Sequence, residues 1–92
     1  MVTIVKRKGH KEKFDEKKAY ASIYAACASA DYNEQTCERI AKEITRRIKR
    51  QILGRKEIAS TALRKKIEGE LKKRNKELAF YYEQHLPNLN KL

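Results

Sequence analysis

The chain has 92 residues, a net charge of +11 and a pI near 9.8, with hydrophobic residues making up 40% of it at regular intervals. That length holds one compact domain with a modest core and excludes a second, and the charge favours phosphates, nucleotides, nucleic acid or acidic protein surfaces without choosing among them. No apolar run approaches the roughly 18 residues of a membrane span and no signal-peptide core opens the chain, so the expectation is a cytoplasmic protein with no membrane partner.

Residues 2–7 are rich in β-branched side chains, with Val2 and Ile4 on one side of the pleat, and read as a strand. Gly9 follows, then a second short extended piece leading to Phe14. A tight hairpin turning at Lys8-Gly9 is expected, because glycine tolerates the positive φ of a primed turn. Asp15 has the character of a helix N-cap, and Glu16 suits the first turn. Behind it Ala19, Ile23, Ala26 and Cys27 form an apolar stripe, with Tyr20 and Tyr24 beside it.

Asp31 and Asn33 mark a break, and Asn33 can cap the next helix. There Cys37, Ile40, Ala41, Ile44, Ile48 and Ile52 recur at three- and four-residue steps, the strongest periodicity in the chain. Gly54 is placed to end that helix. Residues 56–60 suit either a helical turn or a short strand around Ile58. Ser60 or Thr61 can cap a third helix carrying Leu63, Ile67 and Leu71, which Gly69 weakens by about 1 kcal/mol relative to alanine. A short aromatic helix follows and is expected to stop at Pro87, leaving residues 87–92 as a tail to a domain spanning residues 1–86.

Chemistry-bearing patterns are few. There is no Walker-type phosphate loop, dinucleotide fingerprint or nucleophile elbow, and three glycines cannot build a glycine-rich cradle. His10, Cys27, Cys37 and His85 match no zinc spacing, so no metal site is expected. The two cysteines stand ten positions apart in helical stretches and are read as reduced, packed thiols. Catalysis by this chain is not expected. Residues 46–76 carry thirteen Lys/Arg against Glu57, Glu68 and Glu70. They read most simply as solvated outer faces of two amphipathic helices. The alternative is a basic surface for nucleic acid or for an acidic protein, the chain then being a nucleic-acid-binding domain or a protein-interaction adaptor.

The stretch from Val5 to Asp15, VKRKGHKEKFD, places five cations around Gly9. The N-terminal end of the first helix adds unpaired N–H groups and partial positive charge. Lys6, Arg7 and Lys18 could thus meet on a phosphate chain, with Glu12 and Asp15 offering acceptors to an amine or a sugar hydroxyl. By themselves these residues are accounted for more simply as a charged hairpin.

The longer stretch VKRKGHKEKFDEKKAYASI resembles the opening of the ATP-cone domain: Val-x-Lys-Arg-x-Gly, about four residues, Phe-Asp, then a lysine starting a helix. IASTALRKKIEGEL is similar to the family's later Ser/Thr-containing segment, and LAFYYEQHL to its aromatic closing helix, in the family's order and at close to its length. The resemblance implies an α+β, mainly helical fold, a four-helix bundle capped by a small three-stranded sheet whose third strand is EIAS.

It also implies allosteric binding of ATP or dATP, with Mg²⁺ on the phosphates, by a module that is not an enzyme. Such domains sit at the N-terminus of ribonucleotide reductase large subunits, or behind a zinc ribbon in the repressor of reductase genes, where the nucleotide changes assembly. A protein partner of that kind, or a homo-oligomer, is therefore expected. By the resemblance Lys6, Arg7 and Lys18 contact phosphates. The backbone at Ile4 approaches the base, Glu12 and Asp15 lie near adenine or ribose, and Ser60, Leu63 and Arg64 form a second lining segment. Lys8 departs from the acid or polar residue common before the turn glycine, and Arg64 stands where some members have a smaller side chain or an aromatic ring. No reductase barrel accompanies the domain, and two distant cysteines cannot form a zinc ribbon, so a free-standing or excised domain is expected.

Overall fold

The computed structural model describes residues 2–90, with side chains as far as Gln84. The elements are β1 (Thr3–Val5), β2 (Lys11–Lys13), α1 (Glu16–Ser29), α2 (Glu34–Ile52), β3 (Glu57–Ala59), α3 (Ser60–Arg74) and α4 (Lys76–Asn90). The chain is thus mainly helical, with four helices and one small sheet ordered β2-β1-β3. β1 pairs antiparallel with β2 and parallel with β3, so the segment around Ile58 resolves as a strand, Glu57–Ala59, as the resemblance implied.

The hairpin turn differs from the expected two-residue form. The Gly9 N–H donates to the Lys6 carbonyl at 2.9 Å and the Lys6 N–H to the His10 carbonyl at 2.7 Å. The loop is therefore Arg7-Lys8-Gly9, with Gly9 at φ 82 supplying the left-handed residue of a three-residue connection. A primed turn at Lys8-Gly9 would demand positive φ at Lys8. Among the described residues Asp31 alone is a non-glycine with positive φ.

Helix ends follow the sequence closely, with two exceptions. The Asp15 carboxylate accepts from the Lys17 N–H at 2.9 Å, and the Asn33 side chain from the Thr36 N–H at 2.8 Å. Between α1 and α2, Asp31 takes φ 65 while the Tyr32 N–H reaches back to the Cys27 carbonyl and the Asp31 N–H to that of Ala28. This is the bond pair of a Schellman motif. Gly54, at φ 90, ends α2 as expected.

The first exception is α3. Its N-cap is Ala59, extended at φ −66 and ψ 141 but with only a methyl side chain and so no side-chain cap, and Ser60, one residue on, is already helical. The second is α4, which continues through Pro87 to Asn90. A proline forfeits one helical hydrogen bond and strains the preceding turn, and that cost does not end the helix here. Lys91 and Leu92, the end of the expected tail, lie outside the described residues.

Two apolar clusters organise the interior. The larger joins Ile23 and Cys27 of α1, Ile40, Ile44 and Ile48 of α2, Ile67 and Leu71 of α3, and Leu78 and Tyr82 of α4. The smaller joins Val2, Ile4 and Ile58 of the sheet to Ile52 at the end of α2. Phe14 and Leu63 pack against both, so the sheet is backed by the helices rather than standing alone. Cys27 and Cys37 are free and buried, as read from the sequence.

The sequence reading overlooked Glu70. It is 7% exposed, yet its carboxylate accepts from Gln51 Nε2 at 3.2 Å and lies 3.4 Å from Lys73 Nζ and 3.7 Å from Arg47 Nη1. It fastens α3 to α2. Asn75 performs a similar service with no charge: its amide nitrogen donates to the Tyr32 hydroxyl at 2.9 Å while its oxygen caps α4 at the Glu77 N–H.

Three outcomes follow from this packing. A Cβ added at helical Gly69 meets nothing within 4 Å, so Gly69→Ala should stabilise the fold by about 1 kcal/mol, read as a rise of a few degrees in Tm. Glu70→Ala should destabilise by about 1–3 kcal/mol in urea unfolding, modest for a buried carboxylate because its cationic partners are solvent-exposed. Burial pushes the Cys27 thiol up from 9.0 to about 11. The unfolded chain therefore loses that proton first, and stability that is complete below pH 9 should decline as pH rises toward 11. Alkylation at pH 8 should likewise be slow in the native protein and fast in urea, and rapid native labelling would refute the burial.

Candidate functional site

The central strand decides which sequence candidates meet. Ile4 lies opposite Glu12 on β2 and Ile58 on β3. Directly paired residues share a face, so these three form one row turned toward the helices. Ile4 and Ile58 are sealed at 5% and 4% exposure, and Leu63 packs beneath them. Glu12, at the rim of that row, holds the Lys6 ammonium at 3.2 Å. The opposite face is charged and wet, with Lys11 Nζ 2.8 Å from Glu57, whose carboxylate raises the lysine pKa.

Ser60 joins the same end of the sheet by topology. Val5 pairs with Ala59 in the parallel ladder, so Lys6 and Ser60 are the next residues along each strand. There α3 begins with no side chain on its first N–H groups, whereas Asp15, Asn33 and Asn75 occupy that role at α1, α2 and α4. Arg7 stands exposed in the turn beside this end. Two cations and an open helix N-terminus thus lie together, an arrangement that attracts an anion.

The hairpin does not bring every candidate to that point. The Phe14 N–H donates to the Val2 carbonyl at 2.9 Å, so Asp15 and Lys18 enter from the far end of the β1–β2 ladder. Four strand residues, about 13 Å, separate the two ends. Asp15 spends one carboxylate oxygen on the α1 cap, and Lys18 is exposed in the first turn behind it. Arg64, half-buried one turn into α3, acts on groups toward α4. Its charge pulls down the pKa values of Glu68 and Tyr82, which burial raises, to about 12 for the tyrosine. Ser22 of α1, whose hydroxyl donates to the Ala19 carbonyl at 2.8 Å, also lowers the Tyr82 pKa.

Tyr82, Ser22 and Glu68 escaped sequence reading because nothing in their spacing announces a polar contact between α1, α3 and α4. Tyr82 could have been suspected from its place among the aromatics of the last helix. Among the described residues no three His, Cys, Asp or Glu gather as a metal site would require.

Parts of the basic run 46–76 turn to different neighbours. Arg46 and Lys49 line an open groove of about 430 Å³ between α1 and α2, Arg47 and Lys73 gather on Glu70, and Arg74 pairs with Glu43. That groove takes in none of the nine residues singled out from the sequence. No helix among the described residues is long and apolar enough to cross a membrane.

No curated protein matches the chain. The model of the ATP cone domain family does, over residues 2–83, which takes in the hairpin, all three strands and the first three helices. Domains of this family bind ATP or dATP as effectors and regulate rather than catalyse. With the match spanning nearly the whole chain, and the sheet and helices in the order the hairpin motif implied, this protein belongs to the ATP-cone family.

Proposed function

We propose that this chain is a regulatory module that binds ATP or dATP at the sheet end bearing Lys6 and Arg7, and that occupancy changes its association with a partner protein. The observation that carries the reading is the uncapped N-terminus of α3 beside those two cations. The phosphates take the α3 N–H groups and Lys6 and Arg7, and a nucleotide extended along the sheet reaches Lys18 at its other end. Phosphate draws Lys6 away from Glu12, an exchange that costs little because the pair is half-exposed. Glu12, with the second oxygen of Asp15, is then free to accept from the adenine amine or the ribose. Mg²⁺ arrives on the phosphates, since the described residues gather no cation site of their own. The backbone at Ile4 approaches the base, and Ser60, Leu63 and Arg64 form the second lining segment.

The domain carries no catalytic constellation in this reading. A four-helix bundle beneath the sheet is supported by the packing of α1 on α2 and α4 and of α3 on α4 and α2. The regulated partner would be a ribonucleotide reductase or another nucleotide-controlled protein. A switch needs affinity that differs between two assembly states.

Titration calorimetry with ATP, dATP and GTP tests the reading. ATP or dATP should bind, with GTP weaker. Lys6→Ala combined with Arg7→Ala should weaken ATP by about 100-fold, the loss of two charge-assisted contacts, while leaving helical circular dichroism intact. Absence of binding at millimolar ATP would sink the reading, and equal affinity for GTP would remove its adenine specificity. Nucleic-acid binding indifferent to those two substitutions and falling steeply with salt would favour the basic-surface alternative.

A further inference from the structure

We infer that the groove between α1 and α2 is a separate anion site, shaped for the phosphate chain of a small molecule and independent of the hairpin. Lys42, Arg46 and Lys49 fall at i, i+4 and i+7 along one side of α2, and Lys17 faces them from the first turn of α1. The one acid in this lining, Glu16, is neutralised by Lys49 at 2.5 Å. The charged groups of Lys17, Lys42 and Arg46 have no partner among the described residues. Arg47 and Lys73, by contrast, gather on the carboxylate of Glu70. Here three cations line a hollow of about 430 Å³ without an ion pair of their own, Glu38 lining the adjoining hollow one turn before Lys42.

Thr45 gives an independent sign. It lies in the groove wall at 7% exposure, and its hydroxyl is the one buried side-chain polar atom without a partner among the described residues. Buried hydroxyls are normally satisfied, and a helical threonine has two accessible χ1 rotamers. A 120° turn about χ1 carries the buried hydroxyl to another staggered position, where the O–H finds an acceptor if an oxyanion lies in the groove. The Arg46 fork with two ammonium groups suits a ligand that offers several acceptor oxygens and more than one negative charge, which phosphate does and a single carboxylate does not. A hollow of this volume holds a small molecule. Tyr20 provides a flat wall for whatever the phosphates are attached to.

The test uses the full chain carrying Lys6→Ala and Arg7→Ala, so that hairpin binding does not contribute, with inorganic triphosphate as probe in amide-resolved NMR titration. Saturable shifts are expected at Lys17, Lys42, Thr45 and Arg46. Lys42→Ala with Arg46→Ala should weaken them by about tenfold or more. Thr45→Val should weaken binding severalfold while raising the Tm of the free protein, a combination that a merely structural hydroxyl would not produce. The site is refuted if triphosphate shifts these amides no more than an equal ionic strength of chloride, or if the Lys42/Arg46 variant titrates unchanged. It is equally refuted if single-stranded RNA shifts them and triphosphate does not compete. Because the hairpin cations are already removed, failure here leaves the nucleotide reading untouched, and failure of that reading leaves this one standing.

Discussion

Everything at the candidate site hangs on β1 being paired along both edges. Three residues make an antiparallel ladder to β2 and a parallel one to β3. A sheet this small has little stability of its own. It persists because Val2, Ile4 and Ile58 close over Ile52, with Phe14 and Leu63 joining that patch to the helical core. Removing the seal would separate the hairpin turn from the start of α3, two pieces of chain about fifty residues apart in sequence. The site is therefore a product of the small core beneath it.

The parallel pairing has a second consequence. The extended N-cap position of α3 falls on Ala59, the last residue of β3, whose methyl cannot accept a hydrogen bond, so the helix's first N–H groups lack the side-chain cap found at α1 and α2. That omission costs a little helix stability and leaves a patch of partial positive charge where Lys6 and Arg7 already stand. The Lys6–Glu12 pair occupies the position in the meantime, holding the lysine in place with a contact weak enough to exchange.

A surplus of eleven positive charges also has to be accommodated. The fold does this by placing cations on outer faces and by sinking one carboxylate, Glu70, between α2 and α3. The division of one basic run among a groove, a buried acid and a surface pair shows why a count of charges along a helix says little about the surface it builds. Consecutive residues such as Arg46 and Arg47 point to different neighbours, as a helical advance of 100° per residue requires.

The sequence by itself determined the local elements: the caps Asp15 and Asn33, the glycine end of α2, its isoleucine stripe and the hairpin around Gly9. Each of these depends on interactions within a few residues, and each is legible for that reason. It also carried the family, because the Val-x-Lys-Arg-x-Gly motif is contiguous. Tertiary structure decided what no local pattern encodes. The three-residue turn was set by the pairing of Lys6 with His10, and the strand at Ile58 by the free edge of β1. Ser60 entered the helix because the cap position fell on Ala59 at the end of β3, and Glu70 found its partners only when α2 and α3 came together. The separation of Lys6 from Lys18 has the same origin. Strand direction puts them at opposite ends of one ladder, and direction is a property of the assembled sheet.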